Sequence, residues 1–286
     1  MHLREQLSSG RVCYNINMTN DVKLIALDLD GTLLNSAKEI SAPNIEAIQE
    51  ARQKGVEVVL TTGRPLAAIQ PFLKTLKMLD FDDFSITFNG GLVQRNTGEI
   101  LSKKVLSYDD VRLIKQETQA LEIPCDVLSD DIVYVTESAR QSQYGFINSL
   151  LEFHPVKFEE LAPDAIYNKI VSCTDAAFLD AQIPKFPKTL FDQFEIFKTR
   201  DILLEFMPKG INKAFGLSKL IEQLDITPEN VMAMGDEEND LSMISWAGYG
   251  VAMGNAVPTV KKEANIISSF TNDQHAVAEV IQEYVL

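Results

Sequence analysis

The chain has 286 residues, 45% hydrophobic and 23% charged, with a formal net charge of −15. These are values of a globular protein with enough length for about two domains, and so acidic a surface excludes a nucleic-acid scaffold. Cys13, Cys125 and Cys173 form neither a disulfide framework nor a zinc pattern, and no apolar stretch reaches the ~20 residues that span a bilayer, so a cytoplasmic protein without membrane partners is expected.

Residues 1–17 lack the apolar region of a signal peptide and read as an N-terminal extension with no role in the chemistry, with Met18 as an alternative start. Leu24-Ile25-Ala26-Leu27 reads as a strand buried on both faces, as in a parallel sheet covered by helices. It runs into Asp28-Leu29-Asp30-Gly31. Side chains two apart on an extended segment point the same way, so Asp28 and Asp30 are expected to emerge together at the strand's C-terminal end. That end is where open α/β sheets bind ligands. Two like charges this close need a cation or a shared proton, which suggests Mg²⁺, one carboxylate as nucleophile and the other as acid/base.

Ser41 as cap, Pro43 in the first turn and Ile45, Ile48 and Ala51 at helical spacing predict a helix ended by Gly55. A second buried strand over 56–60 stops at Thr61-Thr62-Gly63-Arg64-Pro65, and a helix over 66–76 and a strand over 85–88 follow. This βαβαβ order is half of a doubly wound, Rossmann-like α/β sheet.

From about residue 92 the pattern changes. Strands over 100–105 and 167–173, helices over 108–121 and 139–151 and from Asp175, and hairpins at 125–136 and 194–206 are expected. Hairpins imply antiparallel pairing, so 92–206 reads as an α+β domain inserted into a core made of 18–91 and 207–286. Within it Arg140, Tyr144, Lys169 and Arg200 could reach a substrate but read more often as solvated surface groups and receive no role, and His154 reads as a loop residue without metal-ligand partners. The parallel pattern returns after Pro208-Lys209-Gly210 with a helix over 212–224 and a strand over 231–234 that meets Gly235-Asp236-Glu237-Glu238-Asn239-Asp240. Short strands over 249–253 and 265–268 and a helix over 276–285 close the chain.

Four loops thus carry groups that phosphoryl transfer requires. Thr62 and Gly63 can offer a hydroxyl and a backbone N–H to phosphate oxygens, and Lys213 sits in a first helical turn that already favours an anion. Asp236 can complete a hard oxygen site for Mg²⁺, while Asn239 and Asp240 can hold phosphate and orient the metal's surroundings. Each has an ordinary reading on its own: a strand-to-helix turn, a surface lysine, an acidic helix start. The repetition of a carboxylate at a second strand end favours the chemical one.

These motifs resemble a known family. Asp28-Leu29-Asp30-Gly31-Thr32, Thr62-Gly63-Arg64-Pro65, Pro208 to Lys213 and Gly235 to Asp240 are similar, in order, to the four motifs of the haloacid dehalogenase superfamily of phosphatases in its Cof-type branch. Gly250-Val251-Ala252-Met253-Gly254-Asn255-Ala256 resembles the segment that follows them. The resemblance implies that Asp28 attacks phosphorus to form an aspartyl-phosphate and that Asp30 protonates the leaving alcohol and later activates water. It implies Mg²⁺ held by Asp28, the Leu29–Asp30 segment and Asp236. Leu29, Thr62, Gly63, Lys213 and Asn239 would bind the phosphoryl group, with Asp240 in support. Residues 92–206 would be a type IIB cap that selects a small phosphorylated metabolite, a sugar phosphate by class. Ala214 stands where relatives often have glycine, a change that favours the helix. A phosphomutase, or a non-catalytic sugar-phosphate sensor, remains open on the same residues.

Overall fold

The computed structural model describes residues 21–148 and 150–286. The expected 1–17 extension, Cys13 and Met18 lie outside the described residues. The chain opens with β1 (Leu24–Leu27), α1 (Ala42–Gln53), β2 (Glu57–Thr61), α2 (Leu66–Leu76) and β3 (Phe84–Thr87), followed by β4 (Leu92–Arg95) and β5 (Ile100–Lys103). Next come α3 (Tyr108–Ala120), β6 (Asp126–Ser129), β7 (Ile132–Thr136), α4 (Tyr144–Ile147), β8 (Glu152–Val156) and β9 (Lys169–Cys173). Then follow α5 (Ala176–Gln182), α6 (Lys188–Gln193), β10 (Phe194–Arg200) and β11 (Leu203–Pro208). The chain ends with α7 (Lys213–Leu224), β12 (Val231–Gly235), α8 (Leu241–Trp246), β13 (Tyr249–Ala252), α9 (Pro258–Glu263), β14 (Ile266–Ile267) and α10 (Ala276–Tyr284).

The strands of the described residues form two sheets. The first has the order β14-β13-β12-β1-β2-β3-β4-β5 and is parallel from β14 to β3. Apolar runs such as Leu24 to Leu27 and Val231 to Met234 are fully buried at its centre, as the sequence pattern requires of a sheet covered on both faces. The chain builds outward from β1 to β2 and β3 on one side, and from β12 to β13 and β14 on the other. The strand order therefore reverses between β1 and β12, and this is where such sheets open a ligand crevice.

The second sheet, in the order β10-β11-β9-β6-β7-β8, is antiparallel except for the β7–β8 pair and carries its own apolar core around Tyr167, Ile170 and Phe206. This is the inserted α+β unit. Its boundary differs from the expectation at 92. β4 and β5 pair antiparallel with β3 and belong to the first sheet, because the turn through Phe88, Asn89 and Gly90, all at positive φ, folds the chain back onto that sheet. A third apolar cluster joins the units, with Ala68, Phe88 and Leu92 of the first packed among residues of the second such as Leu128, Tyr144 and Met207.

Three local expectations fail for identifiable reasons. Ser41 occupies the N-cap position of α1, but its hydroxyl makes no capping bond, and the fixed φ of Pro43 supports the first turn instead. The helix expected over 139–151 shrinks to α4. His154 lies in β8, not in a loop, and β8 tolerates Pro155 because it is an edge strand. No helix of the described residues is long and apolar enough to cross a membrane.

Asp126, buried in β6, gives the cap a pH signature. Its Oδ2 accepts a hydrogen bond from the Ser142 hydroxyl, while Oδ1 has no partner among the described residues, and burial pushes the carboxyl from 3.8 to about 6. The folded protein thus holds this proton more tightly than the unfolded chain. The associated stability is complete below about pH 4 and is lost as pH rises to about 6, a cost on the order of 3 kcal/mol at neutral pH. Asp126→Asn should therefore raise Tm by about 5 °C or more at pH 7.5, and by little at pH 4.5. A Tm difference that stays flat across this range in a thermal melt series would show that Asp126 is not the titrating group.

Candidate active site

β1 and β12 lie side by side, with Leu27 opposite Met234, so Asp28 and Asp236 leave adjacent strand ends. The Asp28 N–H donates to the Met234 carbonyl at 3.1 Å, fixing the first exit. Gly31, at φ +83°, turns the chain so closely under Asp236 that a Cβ there would collide with the carboxylate. Thr32 then donates its buried hydroxyl to Asp236 Oδ1 at 2.7 Å.

The third side chain comes from the opposite half of the chain. Asn212 caps α7 by accepting the Phe215 N–H at 2.9 Å, which starts the helix at Lys213. Lys213 is fully buried and donates to Asp28 Oδ1 at 2.5 Å and Asp240 Oδ1 at 2.6 Å. Asp240 Oδ2 accepts the N–H groups of Asp236 and Glu237 at 2.9 and 3.1 Å, so both Asp240 oxygens are engaged within the protein. Asp240 thus orients the lysine and the loop, whereas Asp28 and Asp236 each keep an oxygen with no hydrogen bond among the described residues.

Asp28, Asp236 and Asp240 bring ligand atoms within 4.8 Å of one another. Three buried carboxylates against a single ammonium leave an excess of negative charge, a donor set that fits a hard divalent cation. The titration directions follow from the same crowding. Burial pushes the Asp28 carboxyl up, Lys213 draws it back, and Asp240 and Asp236 add to the rise. Burial and the neighbouring Asp240 push Asp236 up to about 7. Burial would lower the Lys213 ammonium, but Asp240 and Asp28 outweigh it and hold the proton firmly in place.

Asp30 lies elsewhere. β1 ends at Leu27, so the alternation that would have aimed Asp30 alongside Asp28 is lost in the turn. Its half-buried carboxylate is clamped by Arg64, with Nε to Oδ2 at 2.9 Å and Nη2 to Oδ1 at 2.7 Å, and by Lys38 at 2.8 Å. Arg200 of the cap stands 3.7 Å away. Burial alone would raise this carboxyl, but Arg64 and Lys38 prevail and hold it below its ordinary value. Its carboxylate therefore stands outside the acidic group that the sequence reading placed it in. Leu29 is buried in the core, so only its main chain can serve a ligand.

Asp28 and Asp30 nevertheless line one cleft together with Thr62, Gly63, Arg64 and Asn239. The cap supplies the facing wall, including Tyr144, Asn148, Lys169, Thr199, Arg200 and Glu205. Tyr144 and Lys169 are buried rather than solvated, and Arg200 is exposed but faces Asp30. Arg140 lies over the Phe178 ring instead of in the cleft. Sequence reading passed over Thr32, Arg64 as the Asp30 partner, and Asn89. Asn89 lies two residues past the end of β3, in the loop at a core strand's C-terminal end, so examining the loop after every core strand would have found it.

The model of the haloacid dehalogenase-like hydrolases matches residues 25–281. A Bacillus subtilis protein, 5-amino-6-(5-phospho-D-ribitylamino)uracil phosphatase YcsE, is 34% identical over 93% of this chain and 97% of its own. The crystal structure of a haloacid dehalogenase-like hydrolase from Bacteroides thetaiotaomicron superposes with a TM-score of 0.80 at 34% identity, covering 92% of this chain and 99% of that one. The subclass IIB sugar phosphatase BT4131 superposes with a TM-score of 0.78 at 25% identity over 92% and 99% of the two chains.

Proposed function

The chain belongs to the haloacid dehalogenase-like hydrolases and is a phosphatase of that family, and we propose that it hydrolyses small phosphorylated metabolites, sugar phosphates by class, through an aspartyl-phosphate on Asp28 with Mg²⁺ as cofactor. The observation that carries this reading is the buried Asp28–Lys213–Asp240 arrangement beside Asp236, at the one place where the strand order reverses.

Asp28 and Asp236 are the carboxylates that would hold the cation, with the main chain of the Leu29–Asp30 segment nearby. A bound divalent cation would neutralise the phosphoryl oxygens and favour the ionised form of Asp28. The free Asp28 oxygen attacks phosphorus, and the bond from phosphorus to the alcohol oxygen breaks as Asp30 delivers a proton to that oxygen. Water then attacks the acyl phosphate, Asp30 takes back a proton, and inorganic phosphate leaves with Asp28 restored. Lys213 stays charged throughout and offsets the charge on the equatorial oxygens, while Thr62, Gly63 and Asn239 bind them. Asp30 can carry a proton only after the arriving substrate draws Arg64 and Lys38 off it.

The cleft, walled by polar groups of both units, suits a phosphoryl group on a short polyol. The similarity to a ribitylaminouracil phosphatase supports a second reading, in which a longer ribityl substrate is accepted with the cap further open. Both are tested by phosphate release from a panel of sugar and polyol phosphates that includes the ribitylaminouracil compound, with Mg²⁺ or EDTA. Metal-dependent release is expected, fastest on the small sugar phosphates. Asp30→Asn should cost about 100-fold or more, in keeping with loss of a general acid/base. No release from folded, Mg²⁺-supplied protein across the panel would remove the reading, and full turnover by Asp30→Asn would remove that residue from it.

A further inference from the structure

We propose that Asn89 is a positioning residue that couples seating of the cap to assembly of the phosphate-binding loops, with the buried Lys169–Glu205 pair as the cap's half of the device. The inference rests on the phosphatase reading above and names residues outside its motifs. Asn89 is 1% exposed and sits at φ 52°, ψ 35°, a left-handed conformation that few non-glycine residues adopt. Four separate contacts converge on it. Its N–H donates to the Thr62 carbonyl at 2.9 Å. Its amide lies against Gly63, where a Cβ would come within 3.0 Å of Nδ2. Its Oδ1 accepts from Asn239 Nδ2 at 3.2 Å, and its Nδ2 donates to Glu205 Oε2 at 3.1 Å.

Glu205 is on β11 and Lys169 on the adjacent β9, so both belong to the cap sheet. Lys169 Nζ donates to Glu205 Oε2 at 2.7 Å and reaches across the seam to the Gly63 carbonyl at 3.0 Å. Thr199 satisfies the other Glu205 oxygen at 2.9 Å. A buried ion pair costs desolvation unless its remaining hydrogen-bonding capacity is filled, and here the core backbone and Asn89 supply that filling. Lifting the cap would strip both partners at once.

The polarity of the chain of bonds matters as much as its existence. A carboxylate can only accept, so Glu205 compels Asn89 to turn its NH₂ toward the cap and its oxygen toward the core. Asn239 must then present its own NH₂, one hydrogen to Asn89 and the other left for a ligand in the cleft. Gly63 is held from two sides, by the Lys169 ammonium on its carbonyl and the Asn89 amide against its Cα. The cap thereby sets the orientation of two of the groups proposed to bind phosphate, without touching the phosphoryl group itself.

The test compares wild type with Asn89→Gly, whose backbone accepts the positive φ, with Glu205→Gln, which keeps the shape but can donate, and with the double variant. The readouts are the inhibition constant of inorganic phosphate against turnover and the Tm shift that inorganic phosphate with Mg²⁺ produces. Each single change is expected to weaken phosphate by about 10- to 100-fold. The double variant should be no weaker than Asn89→Gly, because Glu205 acts through Asn89. Losses that multiply would overturn the proposal, as would unchanged phosphate affinity in either single variant. Lys169→Met/Glu205→Gln removes the buried pair together and must show the same loss if Glu205→Gln alone folds poorly. Wild type that releases no phosphate defeats the phosphatase reading, whereas the Tm shift still decides the network: its loss in Asn89→Gly supports it and its retention sinks it.

Discussion

Asp28→Asn is expected to lower phosphate release by about 10,000-fold while the protein remains folded. The amide keeps the shape of the side chain and can still accept the Lys213 hydrogen bond that Asp28 Oδ1 accepts at 2.5 Å. It loses the negative charge that makes the second oxygen a nucleophile, and no other side chain at the adjacent strand ends can replace it. Asp236 spends one oxygen on Thr32 and is proposed to hold the cation with the other, while both Asp240 oxygens are taken by Lys213 and two backbone N–H groups. Folding should not suffer, because burial already pushes the Asp28 carboxyl upward and the substitution removes a charge that the interior disfavours. A rapid-quench assay with the acid-stable fraction of phosphorylated protein checks this: wild type should trap a phosphorylated chain and Asp28→Asn none. Turnover within tenfold of wild type would place the nucleophile elsewhere.

Lys213→Met should damage both stability and activity. Methionine is close in volume, so the change isolates the charge. It leaves Asp28 and Asp240 facing each other, buried and without a cation, a situation that costs about 3 to 5 kcal/mol. A Tm lower by about 5 to 8 °C follows for a chain of this size, with turnover down by about 1,000-fold from loss of charge compensation. The deficit should deepen as pH rises. Burial and neighbouring carboxylates already raise Asp28 and hold Asp236 at about 7, and carboxyls raised in this way give their full stability only when protonated and lose it as they ionise. Adding Asp28→Asn to Lys213→Met should recover part of the lost Tm and none of the activity. If Lys213→Met melts like wild type, the lysine is not charged between the two carboxylates.

Much of this could be read from residues alone, and the reason is local. Four-residue apolar runs such as Leu24 to Leu27 are too short and too uniformly apolar for a surface helix, and Gly-containing turns after them mark strand ends. Asp28, Thr62, Asp236 and the helix start at Lys213 were therefore placeable, and the order of the four motifs pointed to one family. The inserted unit was legible through its hairpins. What failed were inferences that needed long-range pairing. β4 and β5 carry no mark of which sheet they join, and Pro155 fits a strand only once β8 proves to be at an edge.

The sequence by itself determined which residues end the core strands and which functional groups they carry there, because strand periodicity, turn residues and helix starts are encoded within a few positions of one another. The tertiary structure alone decided how those groups divide their work. It set Asp240 on Lys213 rather than in the cleft, turned Asp30 onto Arg64 and Lys38, and buried Lys169 and Glu205 against Gly63 and Asn89. Each of these partnerships joins residues from different strands, loops or sheets. A side chain's charge and reach are local properties, whereas its burial and its partner depend on what the rest of the chain packs against it.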